Sequence, residues 1–263
     1  MKRVKTYSTL IIIALTAACS TVPLTGRRQF NLANSQEIEQ QSVQAYREFL
    51  SDPKTKVISS GSEAQRVKNI GSKIASAIDR YLSQNGYSNQ YNFKWEFNLV
   101  QSPEINAWCM PGGKVAVYSG IIPVAKTDAG LATVMGHEIA HAIARHSEER
   151  YTQTLGAQAI GGVVGAATGG SEAMSQLYGL GGQLALLKYG RNQESEADRL
   201  GLIFMAMAGY NPNDAVAFWQ RMAASKQGNG APPEFLSTHP SDATRISNIQ
   251  KRLPEAMKYY AGK

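Results

Sequence analysis

Cysteine is nearly absent: two residues, Cys19 and Cys109, occur in a chain of 263. A small disulfide-stapled scaffold is thereby excluded. Apart from the N-terminal segment, no apolar run approaches the roughly 20 residues that a membrane-spanning helix needs. The Gly- and Ala-rich runs of 155–187 are too short and too interrupted. No block of Lys and Arg interleaved with aromatics is present. The formal charge of +7 falls to +4 once Lys2, Arg3 and Lys5 are set aside with the N-terminal segment. That is no footprint for nucleic acid. Internal repeats are also missing. What is there is ordinary globular composition, 43% hydrophobic and 18% charged, in a length suited to one domain with its own core.

The first 18 residues read as an export signal. Lys2, Arg3 and Lys5 form a positive start, Thr9 to Leu15 a short apolar core, and Ala17 and Ala18 the small residues before a cleavage site. The string Leu15-Thr16-Ala17-Ala18-Cys19 resembles a bacterial lipoprotein signal, with Thr16 where Leu is usual. That resemblance implies acylation of Cys19. Ser20 after the Cys favours the outer membrane by likeness to enterobacterial sorting rules. The expectation is a lipid-anchored protein of the bacterial cell envelope, on the outer membrane and facing the periplasm. Residues 19–34 read as a tether and 35–263 as one domain. Cys109 then reads as a small buried hydrophobe.

Helical periodicity covers 35–50. It returns after Ser62, where Ser62 and Gln65 match a capping box and Val67, Ile70, Ile74, Ile78 and Tyr81 form one apolar face. Phe93, Trp95, Phe97 and Leu99 alternate as a half-buried strand. Val115 and Val117 follow a Pro111-Gly112-Gly113 turn in another. A long helix is expected over 127–150, capped by Thr127 or Asp128, and others over about 190–208, from Asn213, and from Ser241 to Leu253. Residues 155–187 are expected as close-packed core, and 227–240 as a Pro/Gly-rich loop. Few strands clustered between helices predict an α+β fold, mostly helical with a small mixed sheet.

The chemistry concentrates in the string MGHEIAHAIARH. His137 and His141 are one helical turn apart, so both imidazoles reach one ion, and Glu138 beside them can take a proton from water activated there. Zinc suits imidazole and carboxylate ligands. A third ligand is expected in NQESEADRLG. Glu194 and Asp198 share a helix face and Glu196 points elsewhere; one of the pair can bind the ion while the other orients a ligating His. His146, five residues after His141, is expected to point away from the ion and to be structural. Either the segment near Asn106 to Trp108 or that near Val115 to Tyr118 is expected to pair with an extended substrate.

These residues, with PLTGRRQ, INAWCMPGGKVAVYSG, ESEAD and THPSDATRI, resemble the HtpX and CAAX-prenyl-protease family of zinc endopeptidases. The likeness is to its exported lipoprotein branch, which includes BepA and LoiP and is related to the mitochondrial protease Oma. The resemblance covers most of the chain after residue 19. It implies a zincin-like fold and one Zn2+ held by His137, His141 and Glu194. Asp198 is then the partner of a ligating His and Glu138 the catalytic acid–base. His239 and Arg245 lie in the H-P-x-x-x-x-R element, near the active site. His239 either assists catalysis as an oxyanion donor or occupies the ion's open position; Arg245 either orients His239 or binds a carboxylate. The implied function is cleavage of misfolded or unassembled envelope proteins, with the alternative of an assembly factor for outer-membrane proteins that cuts little. The implied partners are such clients and, through the lipid, a membrane.

Overall fold

The computed structural model describes residues 19–31, 34–153, 190–225, 235–236, 239 and 244–261. The first 18 residues, expected as an export signal, the 155–187 segment and most of the 227–240 loop lie outside the described residues. Among the described residues no helix is long and apolar enough to cross a membrane.

Strands β1 (Cys19–Thr21) and β2 (Arg28–Phe30) pair antiparallel. The stretch expected as a tether is therefore a hairpin, and it docks on the body: Val22 is fully buried and Gln29 Nε2 donates to the carbonyl of Ala144 at 3.0 Å. Helix α1 (Ser35–Ser51) follows, with Asn34 capping the amide of Gln36. After β3 (Val57–Ile58) comes α2 (Ser62–Gln84). Its first turn is not closed by the expected capping box; Gly61, at φ 97°, makes the cap without a side-chain bond. The remaining strands are β4 (Glu96–Val100), β5 (Ala107–Met110) and β6 (Lys114–Tyr118).

The four-stranded sheet has the order β3-β4-β6-β5, parallel between β4 and β6 and antiparallel elsewhere. Period-two alternation divides it into two apolar faces. Phe97, Leu99, Val115, Val117 and Cys109 join the main core with α2 and with α4 (Asp128–Ile143), which follows a short turn of helix, α3 (Ile122–Ala125). Trp108, Met110, Ala116 and Val100 meet Tyr46 of α1 on the other face. The predicted strand start at Phe93 is replaced by stacked rings, Tyr91 on Phe93 on Trp95 on Phe97, leading into β4.

Helices α5 (Arg191–Met207), α6 (Asp214–Ala224) and α7 (Arg245–Ala256) complete the described fold, which is mostly helical with a small mixed sheet, as the sequence predicts. Helices α4 and α5 share the most extensive contact between elements. They meet backbone to backbone. A Cβ added at Gly201 would stand 2.9 Å from the amide nitrogen of His137, and one at Gly136 2.9 Å from the carbonyl oxygen of Gly201. Only glycine at both positions permits this approach.

Over-packing a tight helix contact costs about 1–3 kcal/mol. Gly201→Ala is expected to lose that much stability in urea denaturation, because it forces α4 and α5 apart. Unchanged stability would contradict this.

Candidate metal centre

Thr127 caps α4 by accepting the amide of Gly130 at 3.0 Å, and the helix runs buried through His137, Glu138 and His141. It does not continue to residue 150. Arg145 has φ 52°, a left-handed conformation that breaks the helix, and helical residues resume at 146–153. The break is held by tertiary contacts. Tyr91 donates to the carbonyl of Ile143, Gln29 to that of Ala144, and Arg145 itself lies over the Tyr91 ring and donates to the carbonyl of Gln90.

Four side chains converge on one point. One ligand atom from each of His137, His141, Glu194 and His239 lies within 4.8 Å of the others, and all four residues are buried. Nε2 of His137 faces Nε2 of His141 at 3.1 Å. Glu194 Oε2 is 3.5 Å from His137 Nε2, and Glu194 Oε1 is 3.5 Å from His141 Nε2. His239 Nδ1 lies 2.9 Å from Glu194 Oε1 and 3.4 Å from His137 Nε2, while its Nε2 lies 3.5 Å from Glu138 Oε1.

The far nitrogen of each paired imidazole is also engaged. Asp198 Oδ1 lies 3.1 Å from His137 Nδ1. A carboxylate there holds the ring proton on Nδ1 and leaves the Nε2 lone pair facing the ion site. Arg245 locks Asp198 with two bonds, Nη2 to Oδ1 at 2.7 Å and Nε to Oδ2 at 3.0 Å. Its Nη1 lies 3.1 Å from Glu194 Oε2, and its guanidinium rests 3.5 Å from the Trp219 ring centre. Its guanidinium touches the partners of both roles weighed for it: it binds the two carboxylates, and Nη1 also donates to the His239 carbonyl at 3.5 Å.

His146 is a correction. The break at Arg145 turns it back, so its Nδ1 lies 2.9 Å from His141 Nδ1 and its Nε2 3.0 Å from Glu196 Oε2. Glu196 is not idle either; it also accepts from the Thr25 hydroxyl and from Arg27 Nε, both at 2.6 Å. Sequence reasoning missed His146, Glu196, Arg27 and Trp219. The PLTGRRQ string was the only signal that the hairpin matters.

Burial dominates the electrostatics. It drives His141 well below the ordinary imidazole value, with His137 adding to the shift, so His141 is neutral. His146 is lowered by burial, against the pull of Glu196. Burial pushes Glu138 up to about 7; His239 opposes this and Glu194 adds to it. Burial would raise Glu194 and Asp198 as well. The neighbouring His239 and His137 hold Glu194 well below the usual carboxylate range, and Arg245 and His137 hold Asp198 below it.

This donor set fits a zinc ion. Two imidazole nitrogens with lone pairs 3.1 Å apart repel unless a cation lies between them. No hydrogen bond reaches the buried Glu138 Oε1 or Glu194 Oε2, an arrangement that costs free energy without a cation. Arg245 faces the latter oxygen as a charge rather than as a directed bond.

The sequence model of peptidase family M48 matches residues 63–253. The chain belongs to peptidase family M48. Similar proteins include the mitochondrial metalloendopeptidase OMA1 of Schizosaccharomyces pombe, 34% identical over 89% of this chain and 66% of the relative. That of Saccharomyces cerevisiae is 36% identical over 74% and 57%. The beta-barrel assembly-enhancing protease of Escherichia coli is 27% identical over 63% and 36%. The matches thus span about two thirds or less of these relatives' own length. The expected address on a bacterial outer membrane does not stand. The relatives matched over 89% and 74% of the chain are mitochondrial proteins, and sorting rules read from Ser20 carry no weight against that.

Removing one partner of a buried ion pair costs about 3–5 kcal/mol. Arg245→Met is expected to lose stability of that size in urea denaturation, because Asp198 and Glu194 would be left as buried carboxylates facing no guanidinium. A loss near zero would contradict the charge balance described.

Proposed function

We propose that the chain is a zinc-dependent endopeptidase that cuts extended segments of unfolded or unassembled proteins. The observation that carries the reading is the buried convergence of His137, His141 and Glu194 beside Glu138. In this reading these three residues hold the ion. Zinc supplies Lewis acidity, acidifying water and polarising a peptide carbonyl. Glu138 takes the water proton and delivers it to the leaving amine nitrogen; a carboxyl poised near neutrality suits both transfers. Asp198 and Arg245 keep His137 aimed.

His239 is read as a cap on the fourth position. Its Nδ1 lies among the ligand atoms, and its Nε2 points at the carboxylate that must receive a proton. The resting arrangement is then closed, and a substrate carbonyl enters when His239 moves aside. Of the two segments expected to bind substrate, β6 is paired on both edges and cannot take a peptide strand. Strand β5 is paired on one side only among the described residues and packs against α4. An extended peptide added there would run beside His137 and His141, held by backbone bonds with little sequence preference.

Support for unassembled or misfolded clients comes from the E. coli relative, whose name couples a protease with beta-barrel assembly.

Glu138→Gln is expected to keep stoichiometric zinc and to lose cleavage of an unfolded protein by at least about 100-fold. Undiminished cleavage would end the assignment. If the variant still rescued client assembly, the chain would act as an assembly factor. His239→Ala is expected to retain zinc and to cleave faster than the parent; a loss of cleavage would place His239 in catalysis instead.

A further inference from the structure

One cluster of buried polar groups takes no part in the chemistry above, yet it is continuous with the metal centre. From His141 it runs through His146 to Glu196 and on to Thr25 and Arg27, on the loop of the β1–β2 hairpin. The successive separations are 2.9, 3.0 and, for both last contacts, 2.6 Å. Arg27 extends it by gripping Glu149 with both terminal nitrogens, at 2.8 and 3.1 Å. His146 is fully buried, and the side chain of Glu196 is 8% exposed. The hairpin loop is the outer end, with the Arg27 side chain 33% exposed.

The order of donors and acceptors follows from the two ends. Glu196 as a carboxylate only accepts, so His146 carries its proton on Nε2. Its Nδ1 is then a lone pair, which accepts from Nδ1–H of His141. A neutral His141 with its proton on Nδ1 has its lone pair on Nε2, the nitrogen that faces His137 and Glu194. The carboxylate thus sets the tautomer of the ligand through one intervening ring. Asp198 does the same for His137 directly.

We infer that His146 and Glu196 are positioning residues for the metal centre, and that the Thr25–Arg27 loop of the N-terminal hairpin holds them in register with His141. The inference rests on the zinc reading of the site. It makes the hairpin a working part of the metal centre, so that displacing the loop would loosen the ion with no ligand altered.

The test measures zinc affinity of the full chain by competition with a chromophoric chelator, alongside thermal unfolding of the zinc-free protein. Loss of a group that orients a metal-binding His typically weakens affinity about 10–100-fold. His146→Leu is expected to show that loss. His146→Gln is expected to recover most of it, since a carboxamide can donate to Glu196 and accept from His141. The double change Thr25→Val with Arg27→Gln is expected to weaken zinc several-fold while leaving every ligand in place. Zinc affinity of His146→Leu within about threefold of the parent would overturn the inference, whatever its unfolding temperature. Should that variant fail to fold, unchanged affinity in the hairpin double variant overturns the coupling. A parent chain that holds no zinc sinks the metal reading itself, which is a different outcome.

Discussion

Two helix backbones in contact define this molecule. Because Gly136 and Gly201 carry no side chain, α4 and α5 approach until a Cβ added at Gly136 would stand 2.9 Å from the Gly201 carbonyl oxygen. The pair of imidazoles on α4 then faces Glu194 on α5 at separations of 3.5 Å, while Asp198 of α5 meets the far nitrogen of His137 at 3.1 Å. Ligand types alone do not make a metal centre. The spacing between the helices that carry them must be fixed to within fractions of an ångström, and rigid backbone contact fixes it better than side chains can.

The second constraint is charge. Two carboxylates of the ion site and its surround, Glu194 and Asp198, are buried with four imidazole-bearing or guanidinium groups around them: His137, His141, His239 and Arg245. Buried charges persist only when paired and hydrogen-bonded. Arg245 meets this need for Asp198 with two directed bonds and is itself stacked on Trp219. The cation that completes the set is the ion. Around this cluster the sheet serves as a base, with β5 packed on α4 and its outer edge unpaired among the described residues.

Much of this was legible in the residues. H-E-x-x-H on a capped helix, and two carboxylates four apart on another, follow from helical period alone, and the structure brings them together. The illegible parts have a common cause, since each depends on contacts remote in sequence. Nothing near Arg145 announces a left-handed residue. The break exists because Tyr91, Gln90 and Gln29 satisfy the freed carbonyls and the guanidinium. Without the break, His146 would indeed point away. Two partners of Glu196 stand some 170 positions earlier, on a hairpin that composition presents as a polar tether. Sheet order likewise decides that β5 and not β6 is the edge, and alternation of apolar residues cannot tell those apart.

Zinc-edge X-ray absorption of the purified full chain reads the ion and its ligands together. One zinc per chain is expected, with nitrogen and oxygen ligands only, including the multiple-scattering pattern of at least two imidazole rings. A sulfur ligand, or protein that holds no zinc after purification without chelators, would contradict it.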